Sequence, residues 1–566
     1  MHASLPTPAH TVAAAFAAAA AAWPRQAFVA VLPETANAYG IDAGELSYAD
    51  AQARIAALRA AYAAAGYGHG HRVGLLLDNR PAFFLHWFAL NGLGVSVVPI
   101  HAELRAAELE YLVGHSEIAL AVALAPRHAD LRGAAAAAGR PLQLMVDGEP
   151  PPAALFAAPF AAPLASPFAA PRAATAAAAV GELSECALLY TSGTTGRPKG
   201  CMLPNRYYLH AGRWYAGLGG MAALRPGQER MLTPLPLVHM NAMAYSAMAM
   251  VMTGGCLIVL DRFHPSTWWS SVRESRATVV HYLGVMPSML MKAPSLPQDS
   301  QHRVRFGFGA GVDKALQAPF EQRFGFPLLE AWAMTETGAG AVVMAHDEPR
   351  AIGSSCFGRE GPDVQVRLVA DDGSEPGINE PGELWVRHAE EAHHTDPRYG
   401  FFTGYLKDEA ATQEAWADGW FHTGDVVCRD AQGLLHFIDR RKNVIRRSGE
   451  NISAVEVESV LNQHPAVKAA AVAATPDALR GDEVLACVVT HEPVPPAARE
   501  ALAHSIVQHT LARLAYYKAP GYVVFVDALP LTASQKISRG ELKAAAPALP
   551  GQPHCIDTRT LKKRQH

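Results

Sequence analysis

Apolar and polar positions alternate along the first part of the chain in runs whose lengths predict strands and helices in turn. Arg72 to Asp78 (RVGLLLD) is a short apolar run typical of a buried strand, and Val95 to Ile100 is another. Between them, Pro81 to Leu93 is predicted to be an apolar helix with proline in its first turn. Proline is tolerated there because an N–H in the first turn has no hydrogen-bond partner within the helix. This alternation favours parallel sheets covered by helices, and thus the α/β fold class.

Two uncharged segments raise the question of a membrane. Val12 to Trp23 is almost all alanine, but it lacks the cationic start and strongly apolar core of a signal peptide, so we expect a helix. Ala242 to Leu260 is long enough to span a bilayer. Its Gly254-Gly255 pair divides it into a buried helix and the strand Cys256 to Leu260. We therefore expect no integral membrane segment.

The pattern changes further along the chain. Pro151 to Val180 is almost entirely Ala and Pro with a few Phe, and it is expected to be a surface connection. After Asp439 the pattern predicts a smaller α+β unit. Its elements are a capping box at Ser453-Ala454-Val455-Glu456, a helix from Val457 to Asn462, strands at Ala469 to Ala473 and Val484 to Thr490, and an amphipathic stretch from Ala497 to Leu514.

Composition adds limits to this picture. A chain of 566 residues exceeds what one hydrophobic core usually supports, so two or more domains are expected. The 48 basic and 52 acidic residues leave a formal charge of -4, which gives no sign of a nucleic-acid surface. Seven scattered cysteines without a C-x-x-C pair indicate neither a disulfide framework nor a structural zinc site. We expect a cytoplasmic location.

Candidate chemistry first appears in the ten residues Thr191 to Gly200, which read TSGTTGRPKG and follow an apolar run. Glycines let a loop point several N–H groups at an anion, hydroxyls donate further hydrogen bonds, and a lysine supplies charge. The sequence does not match the Walker A pattern. It predicts a loop that holds phosphate, although a solvated turn would have a similar composition.

This loop resembles the phosphate loop of the adenylate-forming superfamily, which contains acyl-CoA synthetases, firefly-type luciferases and the adenylation domains of peptide synthetases. Four further motifs follow in the family's order. They are the YGMTE-like segment Trp332 to Thr337, the GW-x-x-TGD-like segment Gly419 to Asp425, the hinge-like stretch Asp439 to Ile452, and the lysine motif Pro530 to Ile537.

The resemblance implies an architecture and a reaction. The architecture is a large N-terminal AMP-binding domain, residues 1–440, of helix-covered and mostly parallel sheets, and a smaller mobile α+β domain, residues 441–566, joined at a hinge near Lys442. The implied reaction uses ATP and Mg²⁺ to convert a carboxylic acid to an acyl-adenylate. A thiol, that of CoA, then displaces AMP.

The resemblance also implies roles for individual residues. Glu336 holds Mg²⁺ and Thr335 donates a hydrogen bond to phosphate, while Lys536 stabilises charge during adenylation. Trp332 stands where the family places a tyrosine that stacks on adenine, and a packing role is left open for it. The remaining ATP-binding residues are Thr191, Ser192, Gly193, Thr194, Thr195, Gly196, Lys199, Asp425 at the ribose, and Arg440 at the ribose or phosphate.

The chain departs from the family pattern at two places. Asn443 replaces the usual acidic residue after Lys442, and Gln535 replaces the usual glycine before Lys536. Neither change removes a catalytic group. They put in doubt the energetics of the hinge and the path of the lysine loop.

The acyl pocket is less well defined by sequence. His239 stands where the family often lines this pocket, although a satisfied core histidine is the alternative. Amino-acid-activating members usually have an aspartate just after this point, and here Met240 and Asn241 follow, which disfavours an amino-acid substrate.

Within the family, the runs His281 to Ser288 and Ser448 to Ser453 look most like the crotonobetaine/carnitine-CoA ligase branch. That branch implies CoA as acceptor, with Gly449 in the channel for its thiol, where a side chain would obstruct the approach.

The sequence therefore predicts an AMP-forming acyl-CoA synthetase whose partners are a small-molecule carboxylic acid, ATP and CoA, with no nucleic-acid partner. Two alternatives stay open: a ligase that passes its adenylate to the phosphopantetheine of a carrier protein, and a non-catalytic acyl- or nucleotide-binding homologue. The identity of the acid and the formation of a homodimer are also open.

Overall fold

The computed structural model describes residues 9–102, 104, 106–154, 180–191, 198–389, 395–440, 445–447, 450–477, 481–514, 516–531 and 537–562. These residues form two compact units. The first contains the residues up to 191 together with 198–366 and 386–421, and the second contains 367–385 and the residues from 422 onwards. The predicted domain boundary between residues 440 and 441 remains a prediction.

The helices are, in chain order, α1 Val12–Ala22, α2 Pro33–Tyr39, α3 Tyr48–Ala64, α4 Pro81–Asn91, α5 Ala106–Ser116, α6 His128–Ala137, α7 Asn205–Gly217, α8 Met248–Thr253, α9 Trp268–Glu274, α10 Val285–Met291, α11 Gln317–Phe324, α12 Glu409–Ala415, α13 Ala454–Leu461, α14 Pro496–Leu511 and α15 Arg539–Ala545. The strands are β1 Ala27–Val31, β2 Gly44–Ser47, β3 Arg72–Leu76, β4 Ser96–Pro99, β5 Leu120–Ala123, β6 Gln143–Met145, β7 Glu185–Thr191, β8 Lys199–Pro204, β9 Arg230–Thr233, β10 Cys256–Val259, β11 Val279–Leu283, β12 Phe306–Ala310, β13 Leu328–Trp332, β14 Val343–Met344, β15 Cys356–Gly358, β16 Val364–Val369, β17 Gly382–His388, β18 Gly404–Tyr405, β19 Trp416–Ala417, β20 Trp420–Arg429, β21 Leu435–Arg440, β22 Ile445–Arg447, β23 Glu450–Ile452, β24 Val467–Asp477, β25 Gly481–Thr490, β26 Tyr522–Phe525 and β27 Cys555–Asp557.

Two sheets form the framework of the first unit. One has the order β14-β13-β12-β11-β9-β10-β1-β2 and is parallel except at its edge pairs, β13–β14 and β1–β2. The other has the order β18-β8-β7-β4-β3-β5-β6 and is parallel from β7 to β6. The predicted strand, helix and strand at residues 72–100 are β3, α4 and β4. The predicted α/β class is confirmed.

The uncharged segment from Ala242 to Leu260 lies in the first unit. Its first part is a π-helical stretch, Asn241–Ala247, which continues into α8. Gly254 then adopts a left-handed conformation (φ 66°) that ends the helix, and β10 begins at Cys256. The division at the glycine pair is as predicted. Across the part of the chain that the structure describes, no helix has the length and apolarity needed to cross a membrane.

The second unit contains antiparallel strands that the sequence analysis did not predict. Strand β20 pairs antiparallel with β21, and its residues alternate between buried and half-buried positions. Alternation with a period of two is the pattern of a sheet with one covered face. The sequence does not show this alternation clearly, because the polar Thr423 and Asp425 occupy buried positions and the apolar Trp420 and Val426 occupy half-buried ones.

The C-terminal sheet has the order β23-β22-β25-β26-β27, with β24 paired to β25, and it combines parallel and antiparallel pairs. The predicted strands at residues 469–473 and 484–490 lie within β24 and β25. The predicted helix from Val457 begins three residues earlier, at Ala454, because Ser453 is its N-cap and accepts a hydrogen bond from the amide of Glu456 at 3.2 Å.

Candidate active site

The predicted phosphate loop is the connection of a hairpin in the first unit. Strand β7 ends at Thr191, β8 begins at Lys199, and these two residues are opposite each other in the antiparallel ladder. The expectation that all residues from Thr191 to Gly200 form a loop is wrong at both ends, because strand pairing extends to Thr191, Lys199 and Gly200. The intervening candidates Ser192, Gly193, Thr194, Thr195 and Gly196 lie outside the described residues.

The ammonium group of Lys199 is held at the base of this hairpin. Its Nζ atom lies 3.9 Å from Oδ2 of Asp408 and 4.8 Å from the centre of the Tyr405 ring. Asp408 is the N-cap of α12 and accepts a hydrogen bond from the amide of Ala411 at 3.0 Å. A carboxylate and an aromatic face therefore fix the position of the cation.

Thr335 and Glu336 follow the end of β13 in a turn whose backbone is fixed by three hydrogen bonds. The hydroxyl of Tyr207 donates to the carbonyl of Thr335 at 2.9 Å, and the amide of Phe402 donates to the carbonyl of Glu336 at 2.9 Å. Within the turn, the amide of Met334 donates to the hydroxyl of Thr337 at 3.0 Å. The two candidate residues are thus presented by a constrained segment.

The carboxylate of Glu336 is buried, with 6% of the residue exposed. Its Oε1 atom accepts a hydrogen bond from the Tyr405 hydroxyl at 3.0 Å and lies 3.7 Å from Sγ of Cys201. Burial raises the pKa of both Tyr405 and Cys201 above their ordinary values, and the charge of Glu336 raises them further. At neutral pH both groups are therefore protonated donors toward Oε1.

The donor chemistry of this turn fits Mg²⁺. Among the described residues, no group of three or more His, Cys, Asp and Glu side chains is placed to hold a metal ion. Mg²⁺ does not require such a cluster, since it is commonly bound by one or two carboxylates together with substrate phosphates and water. Both side-chain contacts to the Glu336 carboxylate engage Oε1, so within the described part of the chain Oε2 is not occupied by a side-chain donor.

Trp332 is the last residue of β13 and is 6% exposed. Its ring lies 6.3 Å from that of Phe357, at an interplanar angle of 35°. This burial agrees with a packing role for Trp332. A stacking role toward adenine remains a prediction.

His239 lies just before the π-helical stretch of the first unit. Its carbonyl accepts a hydrogen bond from the amide of Met243 at 3.2 Å, and its half-buried ring lies 6.0 Å from the ring of His101. The two imidazoles come from segments that are far apart in the sequence. A role in the acyl pocket remains a prediction for His239.

A fully buried histidine lies close by, and the sequence analysis quoted it only as part of a motif. Nδ1 of His281 lies 2.8 Å from Oδ1 of Asn241 and 2.9 Å from Oγ of Ser246, and its Nε2 lies 3.1 Å from the hydroxyl of Tyr215. Burial lowers its pKa to about 3, so the imidazole is neutral. It fixes Asn241, the first residue of the π-helical stretch and two residues from His239.

In the second unit, Asp425 and Arg440 are opposite each other on β20 and β21. Oδ1 of the buried Asp425 lies 2.9 Å from Nε of Arg440, whose side chain is 42% exposed. The amide of Asp425 donates to the hydroxyl of Thr423 at 3.0 Å, and that hydroxyl donates to the carbonyl of Leu384 at 2.6 Å. The two candidates thus form an ion pair across two antiparallel strands.

Asp439, next to Arg440, was missed as a structural anchor. One of its oxygens, Oδ1, accepts from the amide of Arg440 at 2.7 Å. The other, Oδ2, accepts from the Ser453 hydroxyl at 3.0 Å and from the amide of Val455 at 3.2 Å. Asp439 therefore ties the end of β21 to the first turn of α13.

Three other candidates, Lys442, Gly449 and Lys536, lie outside the described residues. The segment that contains Lys536 has described residues on both sides, and these are well anchored. Leu531 and Ile537 form a β-bridge, and the amide of Ser538 donates to the carbonyl of Pro530 at 2.8 Å. Just beyond, Arg539 forms a bidentate ion pair with the buried Glu458, in which the two guanidinium nitrogens lie 2.5 and 2.6 Å from the two carboxylate oxygens.

Comparisons with known proteins place the chain in a family. Residues 16–393 match the model of the AMP-binding enzyme family, and residues 456–536 match that of the AMP-binding enzyme C-terminal domain. The crotonobetaine/carnitine–CoA ligase of Salmonella paratyphi A is 30% identical over 505 residues, covering 88% of this chain and 93% of the relative.

Solved structures share the fold. The o-succinylbenzoate CoA synthetase of Bacillus subtilis, in complex with an acyl-adenylate intermediate, gives a TM-score of 0.73 at 23% identity and covers 94% of this chain and 97% of its own. The ATP-bound MatB of Rhodopseudomonas palustris gives 0.74 at 23% identity, with 94% and 98% covered. The resemblance drawn from the five motifs is confirmed. The chain belongs to the AMP-binding enzyme family and carries that family's C-terminal domain.

Proposed function

We propose that the protein is an AMP-forming acyl-CoA ligase that converts a carboxylic acid, ATP and CoA to an acyl-CoA, AMP and pyrophosphate. The observation that carries the proposal is the arrangement in the first unit, where the buried carboxylate of Glu336 and the ammonium of Lys199 contact the same side chain, Tyr405. A metal–triphosphate complex requires a carboxylate that binds the metal ion and, beside it, a positively charged side chain that binds the phosphates. Glu336 and Lys199 are such a pair.

In the first half-reaction, a carboxylate oxygen of the acid attacks the α-phosphorus of ATP, and the bond to the bridging oxygen of the β-phosphate breaks to release pyrophosphate. Lys199, Thr191 and the hairpin residues between them bind the β- and γ-phosphates. Glu336 would hold Mg²⁺, which when bound would neutralise charge on the phosphate oxygens. Thr335 donates to phosphate, and Lys536 stabilises the negative charge that develops at the α-phosphate.

In the second half-reaction, the thiol of CoA gives its proton to solvent and its sulfur attacks the acyl carbon. The bond between that carbon and the phosphate oxygen breaks, which releases AMP. Gly449 borders the channel for the thiol, and a side chain at this position would block the approach of the thiol to the acyl carbon. Lys442 is the hinge between the proposed domains, residues 1–440 and 441–566, and a rotation about it exchanges Lys536 for Gly449 at the reacting centre.

Asp425 and Arg440 bind the nucleoside part of ATP in this proposal. A buried carboxylate is a strong acceptor for the two ribose hydroxyls, and Arg440, its ion-pair partner, contacts the ribose or phosphate. Trp332 stacks on adenine and His239 lines the acyl pocket. Since Met240 and Asn241 offer no carboxylate for an ammonium group, the substrate is an acid other than an α-amino acid.

The chemistry is tested by incubating the purified protein with ATP, Mg²⁺, CoA and a panel of fatty, aryl and betaine-type carboxylic acids. AMP release that requires both the acid and CoA, together with a free acyl-CoA product, supports the proposal. Acyl transfer only to a phosphopantetheinylated carrier protein would support the carrier-dependent ligase instead. Absence of acid-dependent ATP–pyrophosphate exchange for every acid would support a non-catalytic binding protein.

Location and assembly are also proposals. All seven cysteines lie in the described part of the chain and none of them forms a disulfide bond, which supports a reducing, cytoplasmic location. A homodimer is the proposed assembly, by analogy with the commonest symmetric form of soluble oligomers. Light scattering of the purified protein measures its mass directly, and a monomer mass of 60.3 kDa would overturn this assignment.

A further inference from the structure

Tyr405 lies between the two charged groups that the proposed reaction assigns to the metal and the phosphates. Its hydroxyl donates to Oε1 of Glu336 at 3.0 Å, and the face of its ring lies 4.8 Å from Nζ of Lys199. Glu336 is 69 residues away in sequence, and Lys199 is far from both. One aromatic side chain therefore links a carboxylate on one side to an ammonium group on the other.

The backbone around Tyr405 is fixed to the hairpin that carries Lys199. Strand β18 pairs antiparallel with β8, so that Tyr405 is opposite Cys201. The amide of Leu406 donates to the carbonyl of Gly200 at 2.8 Å, and the amide of Tyr405 donates to the hydroxyl of Thr412 at 2.9 Å. The ring position is thus set by the same ladder that positions Lys199.

The segment also holds Glu336 through its backbone. The amide of Phe402 donates to the carbonyl of Glu336, and the Phe402 ring packs edge-on against the Tyr405 ring with centroids 4.9 Å apart. Glu336 is therefore bound at its backbone by Phe402 and at its side chain by Tyr405. A carboxylate with one oxygen held in this way presents its other oxygen in a fixed direction.

We propose that Tyr405 is a positioning residue that fixes the Glu336 carboxylate and the Lys199 ammonium in one arrangement, and thereby sets the affinity for metal-bound nucleoside triphosphate. The inference rests on the proposed function of this site. It assigns two separable tasks to one side chain. The hydroxyl orients the metal-binding carboxylate, and the ring places the cation that meets phosphate.

The hydroxyl is tested with Tyr405→Phe, which keeps the ring. Binding of ATP is titrated calorimetrically in the absence of acid, so that no turnover occurs, once with Mg²⁺ and once with EDTA. The dissociation constant with Mg²⁺ should rise about tenfold, as is usual when a partner of a metal-binding side chain is removed, and the value in EDTA should not change. Conversion of supplied acyl-adenylate and CoA to acyl-CoA, which uses neither metal nor pyrophosphate, should be unaltered.

The ring is tested with Tyr405→Leu, which should weaken ATP binding in EDTA as well, because Lys199 loses its aromatic partner. The matched control is Tyr48→Phe. Its buried hydroxyl donates to the carbonyls of Met250 and Gly255 at 2.8 and 2.9 Å, so this variant loses a buried hydroxyl without a contact to Glu336. Its ATP affinity should equal that of the wild type whatever its melting temperature.

Several results would overturn the inference. One is a Tyr405→Phe protein that binds ATP and Mg²⁺ as tightly as the wild type, and another is a Tyr405→Phe protein weakened equally with Mg²⁺ and with EDTA. Equal losses in Tyr405→Phe and Tyr48→Phe would show a general effect of stability. If the wild type itself bound no ATP, the proposed function would fail, which is a different outcome from a failure of the role of Tyr405.

Discussion

Asp425 and Arg440 are partners in the register of two antiparallel strands, and their side chains form an ion pair with a nitrogen–oxygen distance of 2.9 Å. The aspartate is buried and the side chain of the arginine is 42% exposed, so the guanidinium group is the member of the pair that faces solvent. Because both residues lie in paired strands, the pair is set by the register of the ladder, which shifts just beyond it, between Val426 and Val427. This pairing is a feature that neither motif alone discloses.

Removal of Arg440 tests the nucleotide role of this pair. Arg440→Met should raise the KM for ATP about tenfold, because the charge-assisted hydrogen bonds that Arg440 makes to Asp425 and to the nucleotide are lost. The matched control is Arg559→Met, which removes an arginine that is 44% exposed and paired with Asp557 in the same unit. Steady-state kinetics with varied ATP provide the measurement. Equal effects of the two substitutions would exclude a specific role for Arg440.

The metal role of Glu336 is tested by Glu336→Gln. An amide is a much weaker ligand for a hard dication, so ATP–pyrophosphate exchange at limiting Mg²⁺ should slow by about 100-fold or more, and added Mg²⁺ should restore part of it. Exchange close to that of the wild type would remove Glu336 from the site.

Glu330→Gln is the control for this prediction. Glu330 lies on β13 and is also buried, but it accepts hydrogen bonds from the Tyr282 hydroxyl at 2.6 Å and the Gly311 amide at 2.8 Å. Burial raises the pKa of its carboxyl group. This variant should keep the Mg²⁺ requirement of the wild type.

His239 and His281 should respond differently to substitution. If His239 lines the acyl pocket, His239→Ala should change the relative kcat/KM among acids and leave the ATP affinity nearly unaltered. His281→Ala removes buried hydrogen-bond partners and should instead lower the melting temperature and reduce activity with every acid alike. Activity across an acid panel and thermal unfolding distinguish the two. A uniform loss for His239→Ala would favour a core role for that residue.

The neutral state of His281 predicts a loss of stability in acid. Its pKa in the folded protein is about 3, against about 6.5 for an exposed imidazole, so below pH 6.5 the unfolded chain binds a proton that the folded protein does not. The stability that this residue contributes is therefore present above pH 6.5 and falls by about 2 kcal/mol at pH 5. Tyr215, Asn241 and Ser246, which face the ring, stay uncharged over this range.

The measurement compares the wild type with His281→Gln at pH 7.5 and pH 5. The stability advantage of the wild type should shrink as the pH falls, since glutamine has no proton to bind. A difference that is independent of pH would mean that His281 binds a proton as readily in the folded protein as in the unfolded chain.

Three further substitutions separate the half-reactions. Lys536→Ala should abolish formation of the acyl-adenylate and still allow supplied acyl-adenylate and CoA to form thioester, while Gly449→Leu should do the reverse by bulk. Lys442→Pro, which fixes φ at the proposed hinge, should impair the second step more than the first. Each half-reaction is assayed alone, with Lys543→Ala, an exposed lysine of α15, as the control. A Lys536→Ala enzyme with equally reduced rates in both steps would contradict the proposed rotation of the C-terminal domain between the two half-reactions.

The sequence by itself determined the α/β class, the family and the type of most chemical groups. Alternating apolar runs are local signals, so β3, α4 and β4 could be predicted from a stretch of fewer than thirty residues. The glycine pair that ends α8 and the cap at Ser453 are local for the same reason: a backbone conformation or a single hydrogen bond within one turn decides them.

Only the tertiary structure decided which of these groups meet. No periodicity places the Tyr405 hydroxyl on Glu336, because the contact depends on the pairing of a two-residue strand with β8. The neutral His281 follows from burial among Tyr215 of α7 and Asn241 and Ser246 of the π-helical stretch, two segments that are separate from its own strand, β11. Hydrogen bonds and desolvation of this kind act over a few ångströms in space, whereas the sequence patterns report only on neighbours along the chain.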